Sequence, residues 1–212
     1  MAQAKKSATD TSVAKCKYHH GDLREALIGA SFTLVAEDGA ENFLLADACR
    51  LAGVSTAAPY KHFRDRDEVL EIVVARAFDY MSDRILAAVS EAGVGTLEGI
   101  RAMGRAYIAF AIEEQRLFRL MFGQHPKLKQ AECVVDDGRK CFAGVIEQVG
   151  LYCAANNLEG DPTEIALRLW TFVHGAASLL IDEDYEKVAP GLDIDQLMAG
   201  STPLLIGLKP PA

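Results

Sequence analysis

No uninterrupted apolar run in this sequence approaches the roughly 18 residues that a bilayer-spanning helix needs. The opening residues, MAQAKKSATDTSVAKCK, hold no apolar stretch of the kind a secretory leader carries. Cysteine is scarce, five in 212 residues, so free thiols are expected rather than a disulfide framework. These features together predict a cytoplasmic protein. The signatures of common catalysis are missing as well: there is no Gly-rich phosphate loop, no H-E-x-x-H and no G-x-S-x-G, and the five histidines are scattered. An enzyme is therefore not expected, and no cofactor or metal is assigned. Alternating strand patterns and internal repeats are also lacking.

What is present is an ordinary globular composition, half hydrophobic and a quarter charged, in a chain long enough to bury a real core. Apolar residues recur at helical spacing throughout, and the fold class expected is all-α. Residues 1–16 read as a disordered basic tail. A first helix is predicted from Asp22 to Asp38, with Asp22 as N-cap, Glu25 three residues on, and Gly39 closing it. A short second helix covers Leu45 to Leu51, and a third lies in VSTAAPYKHF, residues 54–63. A fourth starts near Asp65. Further helices are predicted at 96–114, 115–122, 127–156, 162–183 and 193–207, separated by Gly, Pro and Asn. Asp161 and Pro162 form a clean helix start, whereas Pro203 should kink or shorten the last segment.

The net charge of −8 is unevenly distributed. Residues 1–66 hold nine Lys/Arg and eight Asp/Glu; the remaining thirteen basic and twenty-two acidic residues leave the rest at −9. An acidic chain repels nucleic acid overall, so any DNA contact must be local and N-terminal. Helices two and three, joined through Ala52-Gly53-Val54-Ser55, have helix-turn-helix proportions. Pro59 fits this third helix if Thr56 is the N-cap, because the missing N–H then falls at an unpaired position. The Thr56 hydroxyl would accept from the N–H of Ala58.

The runs LIGASFTLVAEDGAENF and LADACRLAGVSTAAPYKHFRDRDEVL, within residues 20–75, resemble the DNA-binding domain of TetR-family repressors. RLFRLMFG at 116–123, LWTFVHGAASLL at 169–180 and YHHGDLREALI resemble a subgroup marked by a Trp…His-Gly signature. The resemblance implies a helix-turn-helix domain at 17–66 and a ligand-binding and dimerisation domain at 67–208. It also implies DNA contacts at Lys17, Tyr18 and His19 in an N-terminal arm, at Thr56, Ala57, Ala58, Tyr60, Lys61 and His62, and at Arg66 opening helix four. Chemically, Tyr60 and Lys61 suit phosphate, and alanine methyls suit a thymine methyl. The chain departs from the family pattern at Leu44, where a Thr is usual and where leucine cannot cap the second helix. Asp47 offers partial compensation through the helix dipole, and Cys49 should fill a small buried site.

In the C-terminal part, Met103, Tyr107, Phe110, Phe118, Met121, Phe122, Phe142, Ile146, Trp170 and His174 are candidates to line a cavity for a small, mostly apolar effector. Trp170 and His174, four residues apart, share one helix face. Leu167, Thr171, Gly175, Ser178 and Leu179, with Leu197 and Leu204 of the last helix, are candidates for a two-fold dimer bundle. The function expected is a homodimeric repressor on a palindromic operator, released by its effector. The alternative is a thiol-based redox regulator using Cys133, Cys141 and Cys153. Cys133 and Cys141 are about 12 Å apart along one helix and cannot bridge within it. A metal site from Cys16, His19 and His20 draws on a single clustered segment and is not assigned.

Overall fold

The computed structural model describes residues 20–208, and all regular structure among them is helical. Cys16, Lys17, Tyr18 and His19, together with the tail expected at 1–16, lie outside the described residues.

Helix α1 spans His20–Asp38. It begins before Asp22, so that aspartate lies within the first turn rather than capping it. Leu27, Ile28 and Val35 are buried, and the buried Ser31 hydroxyl donates back to the Leu27 carbonyl at 2.7 Å. Gly39, at φ +85°, ends α1 with its N–H on Val35 O, as the sequence predicts. Helix α2 runs from Leu45 to Leu51 behind an extended, uncapped Leu44, and buries Ala48 and Cys49.

The predicted third helix does not form as such. Gly53 turns at φ +69°, and Ala58 then donates its N–H to Ser55 O. Regular structure is confined to one 3-10 turn at Pro59–Lys61. Thr56 therefore does not cap Ala58, whose N–H is already taken. Pro59 supplies no N–H, and Lys61 and His62 bond to carbonyls three residues back, which is the tighter 3-10 pattern.

Helix α3, Arg66–Ala92, is capped by Asp65, whose carboxylate accepts from the Glu68 N–H at 2.9 Å. Its buried stripe starts with Val69, Leu70, Val73 and Val74 and continues through Ala77, Phe78, Met81, Ile85 and Val89. It packs on α1 at one end and on α4, Leu97–Glu113, along its length. The predicted 66/67 boundary falls in the first turn of α3, which holds only Arg66 of the first predicted domain.

Helix α5 is Gln115–Phe122. The single helix predicted at 127–156 is two, α6 at Pro126–Gln130 and α7 at Glu132–Asn156. Leu128 anchors α6 in the core, and the extended Ala131 lets α7 leave in a new direction, against α3 and α8. Helix α8, Pro162–Ile181, is capped by Asp161, as expected, through the Thr163 N–H. Glu183, at φ 57°, starts a short α9, Asp184–Val188, that the sequence reading missed. Helix α10, Ile194–Leu205, carries Pro203 in its last turn and stops short of the predicted 207.

Candidate functional site

The exposed edge of the N-terminal head gathers Thr56, Ala57, Tyr60 and Lys61. Tyr60 is 71 % exposed, unusual for a large aromatic side chain, while Pro59 behind it is buried. Ala58 and His62 are half-buried, and Phe63 is a core residue whose ring stands 5.4 Å beneath the Arg24 guanidinium. Arg66 is turned inward. Its guanidinium donates to the carbonyls of Phe43 (2.9 Å) and Ala40 and lies over the Phe43 ring. That engagement corrects the sequence reading of Arg66 as a phosphate contact: the residue ties the α1–α2 loop to α3. Arg50 pairs with Asp47 and Arg64 with Glu68, so Lys61 is the outward cation of this edge without an acidic partner shown among the described residues.

The second feature is a cavity of about 340 Å³ lined by α3, α4, α5, α7, α8 and α10. That volume lies at the lower end of small-molecule sites. Of the ten candidates named from the sequence, Met103, Tyr107, Phe122, Phe142 and Trp170 line it. Phe110 does not: it is fully buried and packs edge-to-face on Tyr80 at 5.7 Å. Met121 also sits in the core, and Ile146 packs against that core beside the lining Val145. Phe118 and His174 line a separate, smaller cavity of about 150 Å³ with Arg119, Ser178 and Asp182.

Walls that the sequence reading missed come from helices assigned to other tasks. Phe78, Met81 and Ile85 belong to α3, and Met198 and Thr202 to α10. The apolar spacing of 78, 81 and 85 is a legible signal for the first three. Gly104 of α4 lets α8 and α10 close in: a Cβ there would stand 3.2 Å from Val173 Cγ1 and 2.7 Å from Met198 Cε.

Polar groups at the cavity wall are used up internally. The Trp170 indole N–H donates to the Tyr107 hydroxyl at 3.4 Å, and Tyr107 reaches His174 Nδ1 at 2.8 Å. Burial raises the Tyr107 phenol pKa, and burial together with Lys129 lowers that of His174. A neutral imidazole with Nδ1 accepting from the phenol O–H meets both conditions. Thr202 donates to the Met198 carbonyl at 2.8 Å.

The third feature is the outer face of α8. Leu167, Thr171, Gly175 and Leu179 are exposed at four-residue intervals. Leu204 of α10 is 56 % exposed, whereas Ser178 and Leu197 are half-buried. A Cβ on Gly175 or Gly200 would meet nothing within 4 Å, so both glycines open onto free space. By length and composition α8 is apolar enough to cross a membrane, yet only 39 % of that apolar window is buried. It is an apolar helix with one side packed and one side uncovered.

Among the described cysteines, Cys49 and Cys153 are buried, Cys141 is half-buried and Cys133 is exposed; all four are free. Burial raises the pKa of each thiol. No cluster of His, Cys, Asp and Glu suited to a metal occurs among the described residues.

Residues 100–200 match the model of the tetracyclin repressor-like C-terminal domain. Among solved structures, a protein of unknown function from Rhodococcus sp. RHA1 is 30 % identical, with a TM-score of 0.74 over 91 % of this chain and 97 % of that one. A Mesorhizobium loti MAFF303099 protein described as a TetR-family transcriptional regulator is 16 % identical, with a TM-score of 0.67 over 90 % and 96 %. The transcriptional regulator FadR from Bacillus subtilis, in complex with stearoyl-CoA, is 12 % identical, with a TM-score of 0.64 over 86 % and 97 %. No curated protein matches the sequence.

Proposed function

We propose that this chain, which has the fold of TetR-family transcriptional regulators, is a ligand-responsive repressor that binds a palindromic operator as a homodimer. Trp170, His174 and Gly175 support assigning it to the subgroup with the Trp…His-Gly signature, and on this reading the protein works in the cytoplasm. One observation carries the reading. The apolar cavity is walled by Phe78, Met81 and Ile85 on the same continuous helix whose first turns hold Val69 and Leu70. A ligand that spreads those walls therefore acts on the element that sets where each head sits. Two heads spaced for one DNA turn, about 34–36 Å or a multiple, lose affinity when a ligand favours another spacing. The uncovered face of α8, with α10, is the surface on which two copies pair. The head is the N-terminal part through the start of α3, and Thr56, Ala57, Tyr60 and Lys61 are its DNA-facing side chains. The alternative of a thiol sensor is the weaker one, because raised thiol pKa values leave little reactive thiolate at neutral pH.

Selection from a random duplex pool tests this reading. An inverted repeat with half-sites one turn or a multiple apart is expected; enrichment of no sequence, or of a lone half-site, would overturn it.

A further inference from the structure

The chemistry of the cavity restricts what can fill it. Its walls are almost entirely hydrocarbon and aromatic, and the polar groups among them already have partners. Trp170 donates to Tyr107, Tyr107 bonds His174, and Thr202 bonds Met198 O. A ligand that brought a polar group into the interior would leave that group unpaired at a cost of roughly 1–3 kcal/mol. The occupying part of the ligand is therefore apolar. At the roughly 30 Å³ that a water-sized unit of liquid occupies, 340 Å³ holds on the order of ten carbon atoms.

Among the residues lining the cavity a single one is charged, Arg139 of α7. Its side chain is 75 % exposed, so it stands where the cavity opens to solvent. Phe142, one turn further along α7, lines the same cavity, with its ring 5.6 Å from Trp170. The Arg139 guanidinium is held by Asp136 at 3.1 Å, a pair three residues apart on an exposed helix surface. Such a pair is worth little and exchanges readily for a better acceptor. Guanidinium also offers a planar fork matched to carboxylate or phosphate oxygens.

We propose that the ligand is an amphipathic anion, with a chain of about ten carbons in the apolar cavity and an anionic oxyacid headgroup at its mouth on Arg139, displacing Asp136. This rests on the reading of the cavity as the effector site. Burying the chain supplies most of the affinity, and Arg139 selects the headgroup.

The only tryptophan of the chain, Trp170, lines the cavity and reports occupancy by its emission. Decanoate, decyl phosphate, decan-1-ol and decyltrimethylammonium, titrated into the full-length protein below their micellar concentrations, share a tail and differ in headgroup. Decanoate or decyl phosphate is expected to bind about fivefold or more tighter than the alcohol, with the ammonium weakest. Whichever anion binds tighter identifies the headgroup as carboxylate or phosphate. Arg139→Gln should remove that advantage while leaving the alcohol unchanged, and Asp136→Asn should enhance it. Equal binding of anion and alcohol, or an unaltered preference in Arg139→Gln, overturns the anion assignment and leaves the cavity reading intact. If no probe alters the emission, or if binding persists undiminished when Val145→Phe fills the cavity, the cavity reading falls and the proposal falls with it.

Discussion

Lys61 carries no acidic partner among the described residues, whereas Arg50 and Arg64 are each paired and Arg66 is committed to loop carbonyls. A cation with no competing carboxylate gives its full charge to a phosphate. Lys61→Ala is expected to weaken DNA binding about equally for all sequences and to lower the salt slope by about one, measured by anisotropy titrations at several salt concentrations. His174 behaves differently. Its pKa is lowered in the fold by burial and by Lys129, so the unfolded chain binds the extra proton more readily. Stability should therefore be greatest above the ordinary histidine pKa of about 6.5 and fall as pH drops through it. Urea midpoints from pH 8 to 5 would show that fall, and His174→Gln should flatten it. If the variant retains the full slope, the dependence belongs to other groups.

At the scale of elements, helix starts follow local chemistry closely. Asp65, Thr96, Asp161 and Asp193 each accept a backbone N–H of the first turn. Asp65 matters most because α3 joins the head to the cavity. Asp65→Ala should cost about 1 kcal/mol of stability by chemical denaturation, while Asp65→Asn, which keeps an accepting oxygen, should cost much less. Where local signals conflicted, the outcome followed tertiary demand. VSTAAPYKHF carries helix-start residues around a proline, and it closes as one 3-10 turn with Pro59 buried and Tyr60 turned out. Across 127–156 no breaker residue marks Ala131, yet the chain bends there so that Leu128 and the face of α7 each reach the core.

For the molecule as a whole, the apolar face of α8 has no cover among the described residues. Paired across a two-fold axis, Leu167, Gly175 and Leu179 would meet their own copies, and α10 would complete a four-helix contact. Leu179→Glu is expected to convert a dimer into monomers in analytical ultracentrifugation and to abolish operator binding while the helical circular dichroism is retained. A variant that stays dimeric would show that this face is not the interface. The sequence by itself determined the helical class, most helix starts and the exposed edge at Thr56, Ala57, Tyr60 and Lys61. Capping, spacing and turn chemistry are local, and a residue on a short polar segment has few places to go. It also marked half of the expected cavity wall, because Met103, Tyr107, Phe122, Phe142 and Trp170 are large, apolar and well spaced. Only the tertiary structure decided that Phe110 is core and Phe78, Met81, Ile85, Met198 and Thr202 are wall, that Arg66 turns inward, and that Arg139 guards an opening. A helix pattern states which residues face inward; whether inward means packed core or open cavity depends on how six helices fit together, and no local pattern carries that distance.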